Sequence, residues 1–174
     1  MRMFSVCLMV LVGWQGTSAL AQEMLPKDVL QMDAGTWDAK VTMHGMGQEM
    51  VSEGTEENKM LGQVWLVSSF KGEFGGEVFE GRGHVGYDPA SKQYVGSWID
   101  SMTPVATQMK GTYDPKTKTM TLQTKGVDMQ GKPSTGTVTT VYQGTDKRTT
   151  TMHSMIDGKK VKVMEIVYQR AAGK

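Results

Sequence analysis

Two short stretches carry side chains suited to soft-metal chemistry, Met43-His44-Gly45-Met46 and Met152-His153-Ser154-Met155. Thioether sulfur together with imidazole suits copper(I). Spacing works against a ligand set within either stretch. Neighbouring residues on a strand point to opposite faces, so Met43 cannot join His44, nor Met152 join His153. What remains is His44 with Met46 and His153 with Met155, a copper(I) alternative that requires the two pairs to converge. Methionine more ordinarily fills irregular core gaps and lines cavities, and that is its expected role here, with no metal assigned.

The other chemistry-bearing residues form no reactive constellation. His44, His84 and His153 stand far apart, and Ser68-Ser69 lacks the turn of a nucleophile elbow. Glu56, Asp100 and Glu165 are the carboxylates that a cavity would turn into general-base candidates. No nucleophile–base pair can be named beside them, so no catalytic residue and no enzymatic activity are expected. Gly81-Arg82-Gly83 has no helix after it and is no phosphate loop.

The elements that must position these residues are strands. Turn signals recur at Gly45-Met46-Gly47, Leu61-Gly62, Gly75-Gly76, Asp88-Pro89-Ala90-Ser91 and Met102-Thr103-Pro104. They continue at Asp114-Pro115-Lys116-Thr117, Gly126 to Pro133, Gly144-Thr145-Asp146 and Asp157-Gly158. Nine turns predict ten antiparallel strands in one meander. A repeat supports it: Tyr87-Asp88-Pro89-Ala90-Ser91-Lys92 returns as Tyr113-Asp114-Pro115-Lys116-Thr117-Lys118, which puts both turns at one end. A short helix is expected near Pro26–Met32, where proline suits the first turn.

Alternation assigns the faces. Trp37, Ala39, Val41 and Met43 share one side of the first strand, against Asp38, Lys40, Thr42 and His44. Phe79, Gly81, Gly83, Val85 and Tyr87 share one side of the fourth, and Tyr94, Gly96 and Trp98 one side of the fifth. A polar outer face excludes a lipid-embedded barrel, and no later apolar run reaches spanning length, so the protein is not expected to cross a membrane. Closure would remove exposed edges, and about ten strands would enclose a cavity.

Residues 1–21 read as a signal peptide: a basic start at Arg2, an apolar run from Phe4 to Trp14, and Ala19-Leu20-Ala21 before the cut. Export to the periplasm or medium follows, with cleavage near Ala21. The single cysteine, Cys7, lies inside that run, so the mature domain, residues 22–174, has no disulfide to rely on. Charge is balanced, 19 Lys+Arg against 18 Asp+Glu, without a basic cluster, which excludes a nucleic-acid partner. Oligomeric state is not legible in the sequence.

Gly35-Thr36-Trp37 after a short helix, with Arg170 ending the last strand, resembles the lipocalin/calycin plan. That resemblance implies that Trp37 closes the barrel's base and Arg170 stacks on it. Met60-Leu61-Gly62-Gln63-Val64-Trp65-Leu66 resembles a bacterial family known as domain of unknown function 1579. So do Phe74-Gly75-Gly76, Gly86-Tyr87-Asp88-Pro89, Gly96-Ser97-Trp98-Ile99-Asp100-Ser101-Met102 and Val163-Met164-Glu165-Ile166, a likeness over about residues 33–170. The family carries no established activity. Nitrobindin-like barrels with a similar Gly-x-Trp hold haem through a histidine on the last strand. Here Lys160 to Arg170 contains none, so haem and other cofactors are not expected.

The expectation is therefore an all-β, antiparallel up-and-down barrel of about ten strands, lipocalin-like, with a short N-terminal helix capping one end. The rim near Gly45 and Asp157-Gly158 would be the entrance. Such a barrel would bind a small apolar or amphipathic ligand lined by Met43, Phe79, Tyr94, Trp98, Met109 and Met164. The alternative is a structural or protein-interaction module of the cell envelope, which predicts a filled interior and an exposed apolar patch.

Overall fold

The structure, a computed structural model, describes residues 24–44, 49–128 and 130–172. Helix α1 (Pro26–Gln31) carries its proline in the first turn, where a missing N–H costs nothing. The strands follow as β1 (Gly35–Met43), β2 (Met50–Leu61), β3 (Trp65–Phe74), β4 (Glu77–Asp88) and β5 (Gln93–Asp100). Next come β6 (Thr107–Asp114), β7 (Thr119–Val127), β8 (Pro133–Tyr142), β9 (Lys147–Ile156) and β10 (Lys159–Arg170). Each pairs antiparallel with its neighbours in sequence, and β1 pairs with β10, closing a ten-strand barrel. The expected turns fall between the strands; Gly45-Met46-Gly47 lies outside the described residues, as does the expected signal peptide, residues 1–21.

The repeated motif builds the same turn twice. Asp88 accepts from the Ala90 amide at 2.9 Å and the Ser91 hydroxyl at 2.6 Å. Asp114 accepts from the Lys116 amide at 2.9 Å and the Thr117 hydroxyl at 2.9 Å. Each turn ends on a lysine in the left-handed region, Lys92 at φ 54° and Lys118 at φ 51°. The pairing ladder places both turns at the end where β1 begins. At the opposite end Asp157 and Gly158, both at positive φ, join β9 to β10 as a tight hairpin.

Alternation along the strands translates into burial. Trp37, Ala39 and Val41 are buried, while Asp38 and Lys40 between them are exposed. Glu53, Thr55, Glu57 and Lys59 are likewise exposed on β2, so this part of the outer face is charged. No helix among the described residues is long and apolar enough to cross a membrane.

Two glycines inside β4 make room for an indole from the next strand. A Cβ on Gly81 would stand 2.0 Å from Trp98 Cζ2, and one on Gly83 would stand 2.8 Å from Trp98 Cε3. The indole of Trp98 lies flat across the backbone of the neighbouring strand, which only glycine allows.

The helix seals the end where β1 begins. Val29 and Leu30 are almost wholly buried against Leu66, Tyr94, Met120, Leu122 and Tyr142. A second cluster, Trp37, Ala39, Val41, Phe70, Ile166 and Tyr168, packs beside it between β1, β3 and β10. Together they make a floor.

Candidate functional site

Above that floor the barrel is hollow. A cavity of about 440 Å³ occupies the interior, within the range of small-molecule sites. Its walls are apolar and largely thioether and aromatic: Met43, Met109, Met152, Met164, Phe79 and Trp98. Phe70 and Phe79 meet edge to face, with ring centroids 5.9 Å apart. Phe74, which ends β3, and Met102 and Thr103, from the loop that follows β5, line the opposite rim. Asp100 holds that loop by accepting from the amides of Met102 and Thr103, each at 2.9 Å.

Of the residues expected in the lining, Met43, Phe79, Trp98, Met109 and Met164 reach the cavity, and Tyr94 does not. Tyr94 does point inward, but it stands near the start of β5, on the helix side. There its ring meets Tyr87 edge to face at 5.2 Å within the floor. Burial pushes its hydroxyl up to about 12.

The candidate carboxylates separate. Glu56 and Asp100 line the cavity. Glu165 pairs with Thr42 and Thr151, which alternate with the inward residues of β1 and β9, and it takes Lys162 Nζ at 2.7 Å outside the barrel.

The floor holds an ionic network that local sequence does not announce. Asp33, at the junction of α1 and β1, faces Arg148 from β9. Arg148 Nη1 donates to Asp33 Oδ1 at 2.5 Å, and Nη2 donates to Glu56 Oε1 at 2.5 Å. Tyr142 donates to Asp33 Oδ2 at 2.7 Å, Tyr168 to Glu56 Oε2 at 2.9 Å, and Asn58 Nδ2 to Glu56 Oε1 at 2.6 Å. The Arg148 guanidinium carbon also lies 4.1 Å from the Tyr168 ring centroid and 4.7 Å from that of Trp37. All four carboxylate oxygens are thereby engaged; Arg148 Nε and Asn58 Oδ1 keep no partner.

Electrostatics follow from that packing. Burial pushes the Asp33 carboxyl up, against the opposing pull of Arg148 and the Tyr142 hydroxyl. Burial opposes the charge on Arg148, but Asp33 and Glu56 outweigh it and hold the guanidinium protonated. Both tyrosines are raised well above the usual phenol range, first by burial and then by the carboxylate each one meets.

The metal alternative gains little from the geometry. Met46 lies outside the described residues, and His44 Nδ1 sits 3.0 Å from Glu49. His153 and Met155 border a smaller recess of about 240 Å³ with Lys160 and Gln123. Among the described residues no three histidine, cysteine, aspartate or glutamate side chains gather as a metal site.

Beside the floor, Arg170 ends β10 opposite Trp37, which begins β1. Its guanidinium carbon stands 4.1 Å from the Trp37 ring centroid, inside the distance expected of a stacked pair.

A closed ten-strand barrel of lipocalin-like plan, sealed by a helix at one end and hollow within, is the class these features define. The model of a family described as "Protein of unknown function (DUF1579)" matches residues 23–170, and the chain belongs to that family. Among solved structures it is similar to Rv2717c from M. tuberculosis, at 10% identity and a TM-score of 0.63, covering 86% of this chain and 100% of that one. It is also similar to the S-type phycobiliprotein lyase CPES from Guillardia theta, at 13% identity and a TM-score of 0.58, covering 87% and 96% respectively. At such identities the likeness establishes the fold. No curated protein matches the chain.

Proposed function

We propose that the protein binds one small apolar or amphipathic molecule inside the barrel, and that it does so after export. The cavity of about 440 Å³ behind a methionine- and aromatic-lined wall is the observation that carries this. A barrel built only as a scaffold or an interaction module would fill that volume, because unfilled space forfeits dispersion contacts. Six methionines lining the cavity, Met43, Met102, Met109, Met120, Met152 and Met164, suit a site that adapts to its ligand's shape. The exposed charges on β1 and β2 support a water-facing exterior, and the leader-like residues 1–21 support export.

The test is native mass spectrometry of the purified protein, followed by titration with an environment-sensitive apolar dye. A retained small-molecule adduct, or saturable dye binding near one per chain, is the expected result. Ser52 lines the cavity from β2, and Ser52→Trp should abolish dye binding by occupying the space. Dye binding unchanged in that variant would place the ligand elsewhere.

A further inference from the structure

Resting on the reading that the cavity holds an amphipathic molecule, we infer that the ligand's polar end is uncharged or cationic, and that fatty-acid-like anions are excluded. Arg148 is the one lysine or arginine among the described residues lining the cavity. It has no charge to spare. Each terminal nitrogen donates to one of two carboxylates, Asp33 and Glu56, so two negative charges face one guanidinium, and its plane lies against two aromatic rings. The two floor tyrosines that would otherwise donate to an anion already donate to those same carboxylates. At the rim, Glu73 and Asp100 add charge of the same sign.

An anionic head entering here would lose its hydration with the His153 imidazole as the one basic group on the lining not already matched by carboxylates, and burial of an unpaired charge is strongly disfavoured. A hydroxyl or carbonyl faces no such barrier. The wall threonines and Ser52 supply hydroxyls for it. A cationic head would gain from the carboxylates at either end of the cavity.

The experiment compares decanol, decyltrimethylammonium and decanoate as displacers of a bound neutral dye at pH 7.5. Decanoate should be the weakest, by about ten-fold or more. Decanoate equal to or tighter than decanol overturns the charge inference while leaving the cavity reading intact. If no dye binds and none of the three gives a binding heat, the cavity reading falls and this inference with it. Asp33→Asn adds a second readout. Removing one carboxylate leaves Arg148 matched by Glu56 alone and takes a negative charge out of the floor, so decanoate should gain about five-fold relative to decanol. A folded variant with an unchanged ratio would overturn the inference, and the wild-type ranking decides it if that variant does not fold.

Discussion

The guanidinium of Arg170 lies 4.1 Å from the ring centroid of Trp37, across the seam where the last strand meets the first. Three carbonyls hold it there: Nη1 donates to Ala34 at 2.8 Å, Nη2 to Met32 at 3.2 Å and Nε to Thr145 at 3.0 Å. These bonds tie the end of α1 and the β8–β9 turn to the barrel's closing strand. Arg170→Lys keeps the charge but loses the planar fork, so it should cost about 1–3 kcal/mol. Urea unfolding of the two proteins measures it, and an unchanged midpoint would mean that the fork contributes nothing.

Arg148 should be far less tolerant. Arg148→Ala leaves Asp33 and Glu56 facing each other in the floor without a counter-charge, at a cost of about 3–5 kcal/mol. Combining Arg148→Met with Asp33→Asn and Glu56→Gln should recover most of that loss, because the uncompensated charge goes with it. Thermal unfolding of both variants separates the two effects.

The pH dependence has a definite sign. Asp33 has its folded carboxyl raised above 3.8, first through burial, so its contribution to stability is full below pH 3.8 and is lost as pH rises through the folded value. Asp33→Asn does not titrate. The melting temperature of the variant minus that of the wild type should therefore increase between pH 3.5 and pH 7. A flat or falling difference would contradict the burial of this carboxyl.

Gly81→Ala should disturb the wall. The new Cβ would stand 2.0 Å from Trp98 Cζ2, and the ring has to move because the strand cannot. A cost of about 1–3 kcal/mol is expected, with a shift in tryptophan emission as Trp98 is displaced. Gly62 in the β2–β3 turn is no control for this test, since its φ of 61° strains any other residue.

Much of the architecture was legible because it depends on local chemistry. Asp-Pro and Gly turns punctuate the chain, and alternation in β1 and β4 names the inward residues. An even meander that closes must bring Trp37 to Arg170. Glu56 and Asp100 were two of the three carboxylates that a cavity would turn into candidates, and both line it. Glu165 stands between Met164 and Ile166, both inward, so its outward face follows from alternation itself.

Height along the barrel was not legible. Period two says which face a residue takes but not how far along the axis it stands, which is why Tyr94 was expected in the wall and lies in the floor. The Asp33–Arg148 and Asp33–Tyr142 contacts span 115 and 109 residues. No local pattern encodes such pairs; an inward arginine on β9 only signals that some partner must exist. The sequence by itself determined the strands, their faces and the closing seam, since each follows from turn residues and alternation. The tertiary structure alone decided which carboxylates meet Arg148 and how much space stays empty, because both depend on register and on side-chain volumes summed around the whole barrel.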